Sequence, residues 1–285
     1  MISRRVVVGA GLGAACGGVL GPQRAFSQPL ETFGALFEKA KKDGALAASY
    51  RMDGADMRED FAARGPVPRV PPSQLAISPD AIALIQFFEI TDESTYRKKF
   101  SRPTWPRGDS GVTVGVGYDL GYVTQKWVQE DWQNSVEAKK IEQRAVDKMK
   151  AAAGVKGAAA KPMATTMHDL EISWDAADFQ FQKSLIPRYV GLTLQKLPNW
   201  KNLSLDSRGA LVSLVYNRGA SFDSEKPRFA EMREIRDLME SGERDKYKLI
   251  PGQILKMKRL WENKPDMRGL LIRRDLEAAL FKKGL

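Results

Sequence analysis

The chain has 285 residues, enough for one large domain or two modest ones, and its 43% hydrophobic, 28% charged and 9% aromatic content excludes wholesale disorder and fibrous repeats. Lys and Arg number 45 against 35 Asp and Glu, so the formal charge is +10 and anionic partners are favoured: nucleic acid, acidic lipid or an anionic wall polymer. A single histidine, His168, and a single cysteine, Cys16, exclude a His/Cys zinc cluster and a disulfide framework, and a Ser-His-Asp triad would have to use His168.

Residues 1–27 read as an export signal. Ser3-Arg4-Arg5 precedes an apolar, small-residue run from Val6 to Leu20, and Ala25-Phe26-Ser27 places small residues at the alternate positions that signal peptidase requires. The paired arginines resemble a twin-arginine signal, with Val7 and Val8 where that pattern prefers Phe and Leu; a basic Sec signal reads similarly. Gly9-Ala10-Gly11-Leu12-Gly13-Ala14 also matches a dinucleotide-binding fingerprint. That motif needs a helix directly after it, and Gly17, Gly18, Gly21 and Pro22 interrupt the segment, each interior Gly costing about 1 kcal/mol relative to Ala. Lipidation of Cys16 would want Leu where Gly13 stands. Cleavage removes Arg4, Arg5 and Arg24 and no acid, lowering the charge from +10 to +7 and leaving no cysteine, as suits a periplasmic or secreted protein. No later segment approaches the roughly 18 apolar residues of a membrane span.

Leu30, Phe33, Leu36 and Phe37 have helical spacing, and Pro66, Pro68, Pro71 and Pro72 follow as a stiff extended stretch, so residues 28–77 are expected to be an appended helix and a linker. Ser78-Pro79-Asp80 supplies a cap, a first-position proline and a first-turn acid for a helix whose apolar set, Ala81, Leu84, Ile85 and Phe88, runs to Glu89. Between Thr91 and Gly121, turn glycines and prolines with alternating Val112, Val114 and Val116 predict a small β-ribbon. From Gln125 the pattern is helical, broken by an Ala/Gly/Lys stretch over 151–161 expected as a loose surface loop. Ser173-Trp174-Asp175 caps a helix with a Phe181, Leu185, Tyr189, Leu192 stripe, kinked at Pro187. Further helices are predicted over Leu205–Arg218, closed by Gly219, then at Phe229/Met232/Ile235/Leu238, Ile254/Met257/Trp261 and Leu270/Arg273/Leu276/Leu280. The fold class is α+β, predominantly helical, with a small β-ribbon lobe and a larger helical lobe.

A helix ending in Glu89, followed by Ser110-Gly111-Val112-Thr113-Val114-Gly115-Val116-Gly117-Tyr118-Asp119-Leu120-Gly121, resembles the T4-type lysozyme superfamily, most closely the catalytic domain of pesticin-like bacteriocins. The segment Leu205-Asp206-Ser207-Arg208-Gly209-Ala210-Leu211-Val212-Ser213-Leu214-Val215-Tyr216-Asn217-Arg218-Gly219 is similar to that superfamily's buried central helix, and 269–281 to its closing helix. The resemblance covers residues 78–285 as a lysozyme-like catalytic domain. It implies a muramidase that cleaves the glycan strands of peptidoglycan, with Glu89 as general acid and Thr113 and Asp119 completing the site. It implies no metal, cofactor or nucleic-acid partner, and it leaves any immunity or inhibitor protein unknown. Phage members keep their aspartate upstream of the threonine, where this chain has Asp109, so two candidates for the second carboxylate stand open.

The residues support this chemistry by themselves. Glycoside hydrolysis needs one carboxyl protonated to donate to the leaving oxygen and another ionised. Phe87, Phe88 and Ile90 flank Glu89 at a helix C-terminus, where desolvation and the helix dipole both disfavour its carboxylate. Asp119 ends the ribbon, where it faces a cleft or merely satisfies turn N–H groups; Asp109 lies in Arg107-Gly108-Asp109-Ser110, a plain turn. Thr113 holds an attacking water or is a β-branched strand residue without further role. As binding residues, Tyr118 stacks on sugar or belongs to the core, and Asn217 lines the cleft or ends its helix. Trp105, Trp127 and Trp132 are sugar platforms or core. Arg97-Lys98-Lys99 and the run 256–259 read as solvated faces, and His168 as surface. Two other functions fit the same pattern: a catalytically silent wall-binding module, and a lytic transglycosylase using Glu89 alone. Nucleic-acid binding is the plain alternative reading of +7, and a steep salt dependence would reveal it.

Overall fold

The computed structural model describes residues 31–43, 69–264 and 267–285. The export signal read over residues 1–27, with Cys16, and the prolines at 66 and 68 lie outside the described residues. Helix α1 (Phe33–Lys42) starts where the Thr32 hydroxyl accepts the Ala35 N–H. Its Phe33 and Phe37 are buried, and the Phe37 ring meets Phe87 edge-on at 5.4 Å. Arg268 closes the contact with an ion pair to Asp43 at 2.6 Å. The expected appendage is therefore corrected, because α1 belongs to the same compact unit as the rest of the described chain. A ten-residue helix is marginal alone in water and gains its stability by burying its apolar face.

The expected linker is corrected in the same way for residues 69–77. Extended by its prolines, this stretch lies as a strap along a later helix, with the Ser73 N–H donating to the Pro187 carbonyl at 2.8 Å. The Pro71 carbonyl passes so close to Gly191 that a Cβ there would stand 2.3 Å from it. Val70 and Ile77 are buried.

Helix α2 (Pro79–Ile90) begins as its cap predicts, with the Ser78 hydroxyl accepting the Ala81 N–H at 3.2 Å. Helix α3 (Glu93–Lys99) follows, capped by Asp92. The ribbon pairs β1 (Thr113–Val114) with β2 (Tyr118–Asp119) antiparallel, Thr113 opposite Asp119 and Val114 opposite Tyr118. Helices α4 (Gln125–Glu137) and α5 (Gln143–Ala151) come next. The Ala/Gly/Lys stretch then departs from the expected loose loop. The Gly154 N–H donates to the Leu120 carbonyl, the Gly157 N–H to that of Ser110, and the Lys156 ammonium sits 4.7 Å over the Tyr122 ring. Small side chains let this backbone lie flush against the ribbon, and it runs into α6 (Ala160–Thr166).

Helix α7 (Trp174–Gln180), capped by Ser173, passes through a π-helical stretch, Phe181–Leu185, into α8 (Ile186–Lys196). Pro187 has no N–H to donate within the helix, and the wider turn just before it absorbs the interruption where the sequence predicts a kink. Helix α9 (Leu205–Arg218) is buried along most of its length and ends at Gly219, φ +74°. Gly209 allows its close approach to α2, since a Cβ there would lie 2.1 Å from that of Ala81. Helices α10 (Ala230–Glu240), α11 (Arg244–Tyr247), α12 (Ile250–Lys256) and α13 (Arg268–Lys283) complete the lobe, with α13 packed along α9. The described residues form the expected mostly helical α+β fold, with one small ribbon among them.

Asp131 of α4, only 3% exposed, ties four of these parts together. It accepts from the Tyr118 hydroxyl at 2.6 Å, pairs with Arg69 of the strap at 3.0 Å and pairs with Arg188 of α8. Asp131→Ala would leave the Arg188 guanidinium without this anion and Arg69 with only Glu130, at 2.6 Å, as its carboxylate partner among the described residues. It is expected to cost about 3–5 kcal/mol in urea unfolding, the usual loss when one partner of a buried ion pair is removed.

Candidate active site

Glu89 occupies the last turn of α2 directly after buried Phe87 and Phe88 and before buried Ile90, and 19% of its side chain reaches solvent. The ribbon turn covers it. Gly117, φ +70°, lies so close that a Cβ there would meet Glu89 Oε2 at 3.0 Å and the Tyr216 hydroxyl at 3.5 Å, so both the conformation and the space call for glycine. Tyr216, from α9, packs its ring on Tyr189 and donates its hydroxyl to the Val116 carbonyl at 3.4 Å. On the other side, Arg273 of α13 brings Nη1 to 3.4 Å from Glu89 Oε1 and lies over the Phe88 ring. Burial raises the Glu89 pKa above the ordinary carboxylate value, and the nearby Arg273 only partly opposes it. A carboxyl so placed keeps a transferable proton to higher pH than an exposed one does.

Helix α2 stops abruptly one residue later, at Ile90. Thr91 has φ 68° and ψ −67°, and the Asp92 N–H bonds the Ile90 carbonyl at 2.8 Å, which is a γ-turn of the rare, strained hand. A β-branched residue in that region costs about 1–3 kcal/mol, which the surrounding packing must offset.

The ribbon register places Thr113 and Asp119 directly opposite each other on one face, where cross-strand Cβ atoms lie about 4.5–5.5 Å apart. Asp119 Oδ1 accepts the Gly111 N–H at 2.9 Å and the Gly121 N–H at 2.8 Å. Burial pushes its pKa up to about 6, outweighing those two donors and the charge of Lys156. The Thr113 hydroxyl makes no hydrogen bond to the described residues. Glu89 and Asp119 share no hydrogen bond or ion pair: Glu89 lies under the turn at Gly117, Asp119 two residues along β2. Asp109 is exposed in its turn, its carbonyl accepting the Tyr122 hydroxyl.

Two binding candidates are corrected. Tyr118 is 2% exposed, edge-on to Trp132 and bonded to Asp131, so its ring has no face to offer a sugar. Asn217 is buried, accepts from Arg274 Nη2 at 3.0 Å and so orients an arginine of α13 instead of lining a cleft. Trp132 is core, Trp105 donates to the Ser110 carbonyl and Trp127 lies under Arg69. His168 is exposed, as read. Sequence reasoning overlooked Arg273 and Tyr216 as site residues. Only Arg273 carried a usable signal, an arginine inside an apolar stripe, which requires a buried anion.

Residues 86–187 match a family model described as a domain of unknown function (DUF8812). That span holds Glu89, Thr113 and Asp119, while Tyr216 and Arg273 lie beyond it. No curated protein matches the chain. Among the described residues, no group of three or more His, Cys, Asp or Glu is arranged to hold a metal ion, and no helix is long and apolar enough to cross a membrane.

Proposed function

We propose that the protein is a muramidase, hydrolysing the glycan strands of peptidoglycan with Glu89 as general acid and Asp119 and Thr113 completing the site. The observation that carries this reading is the Glu89 carboxyl itself, mostly buried under the ribbon turn yet with 19% of its side chain exposed, and with its pKa raised by that burial. Such a group protonates a leaving glycosidic oxygen, while a second carboxylate steadies the oxocarbenium charge or takes a proton from water. Asp119 is suited to the second role above its pKa of about 6, with Oδ1 fixed by backbone donors and the Thr113 hydroxyl beside it to hold the water. The export signal read over residues 1–27 would deliver the enzyme to the wall, and a mature charge of +7 suits an anionic polymer.

A second reading, lytic transglycosylation by Glu89 alone, is favoured by the backbone bonds that occupy Asp119 Oδ1. Digestion of purified peptidoglycan with mass spectrometry separates the two: hydrolysis adds water to each new end, transglycosylation leaves anhydro ends, and a wall-binding module releases nothing.

The same assay yields a pH prediction. Asp119 is neutral below about pH 6, so hydrolysis should rise as pH passes upward through that value. Asp119→Asn should abolish it, while Asp109→Asn should keep most of it. Hydrolysis by a folded Asp119→Asn variant at the wild-type rate removes Asp119 from the mechanism.

A further inference from the structure

We propose that Glu277, which does not meet the substrate, is a positioning residue for Glu89: by taking part of the Arg273 guanidinium, it sets how strongly that arginine pairs with the catalytic acid. The proposal rests on the reading of Glu89 as general acid. Glu277 lies fully buried on α13, one turn after Arg273. Its Oε1 accepts from Arg273 Nε at 3.3 Å and from the Ser213 hydroxyl at 2.7 Å, and Arg274 Nη2 stands 3.0 Å from Oε1 and 2.9 Å from Oε2. Arg273 is further held by the Ser213 carbonyl and hydroxyl at 3.2 and 3.3 Å. What remains for Glu89 is one contact at 3.4 Å, long beside the roughly 2.7–2.9 Å of a strong charge-assisted bond.

The charge balance explains the arrangement. Two arginines with almost no solvent need at least one close anion, and Glu277 is in contact with both. With that need met, Glu89 is not forced to ionise. The groups facing Glu89 are Arg273 from α13, the Tyr216 hydroxyl from α9, kept neutral by burial, and the uncharged ribbon turn at Gly117. Those facing Glu277 are Arg273 and Arg274 on its own helix and Ser213 from α9. Without Glu277, Arg273 would turn to Glu89 as the carboxylate next in reach.

The test uses the full chain with ¹³C-labelled glutamate, the Glu89 carboxyl signal being identified by its loss in Glu89→Gln. In Glu277→Gln the Glu89 titration midpoint and the alkaline limb of the kcat profile on peptidoglycan should both move down by about one pH unit, the usual effect of an opposite charge drawing close. The double variant Arg274→Gln/Glu277→Gln removes one charge of each sign, so it is read where the single variant fails to fold, and the same downward shift is expected. A purely structural Glu277 would lower the melting temperature and leave the midpoint in place, and an unmoved midpoint in a folded variant overturns the proposal. If the midpoint moves but wild type releases no glycan fragments, the muramidase reading falls and the pairing of Glu277 with Arg273 stands.

Discussion

Glu89→Gln is expected to lower peptidoglycan hydrolysis by at least about 100-fold, a typical contribution from one general acid. Glutamine keeps the size and hydrogen-bonding capacity that fit between the ribbon turn and Arg273, but it has no proton to transfer. The effect on stability should run the other way. Because the folded-state pKa of Glu89 is raised, the folded protein retains a proton that the unfolded chain releases above the ordinary value of 4.5, so this group's contribution to stability declines as pH rises from there through the folded pKa. Glutamine removes that decline. The variant should therefore melt at or above the wild-type temperature at neutral pH, with a shallower loss between acidic and neutral pH. Thermal melts at several pH values, run beside the digestion assay, check both parts. Retained hydrolysis in a folded variant refutes the assignment.

A chain beginning at Ser78 is expected not to fold, although the sequence places a boundary there. It would lack Phe33, Phe37, Val70 and Ile77, all buried, each worth about 1.5–3 kcal/mol for a large apolar side chain. Together these approach the roughly 5–15 kcal/mol that is the whole stability of an ordinary domain. The truncation also removes Arg69, one of the partners of buried Asp131, and uncovers the α8 surface at Gly191. A chain beginning at Arg69 keeps the strap and, of the described elements, loses only α1, so it should fold with a lower urea midpoint. Circular dichroism melts of the two truncations settle the matter. A cooperative transition within a few degrees of the full chain in the shorter one would return residues 31–77 to the status of appendage.

The sequence by itself determined the elements whose causes lie within one or two turns. Ser78-Pro79-Asp80 and Ser173-Trp174-Asp175 start helices because a hydroxyl reaches an N–H three residues on, and Gly219 ends one because it accepts a positive φ. Glu89 was legible as a candidate acid from its apolar flanks and the motif that follows it. What surrounds it was not, since Arg273 stands 184 residues away and reads locally as a break in an apolar stripe. The spacing of Phe33 and Phe37 is the same whether their helix packs or stands apart, and only the presence of Phe87 opposite decides which. The Ala/Gly/Lys stretch offers little side chain to pack, so its order comes from ribbon carbonyls that accept its N–H groups. Asp119 shows the division within one residue: the turn that uses Oδ1 is local, whereas the burial that lifts its pKa to about 6 depends on packing around the ribbon. Caps and turns are set by neighbours along the chain, but desolvation and charge pairing are set by neighbours in space, and these decide which carboxyl can hold a proton.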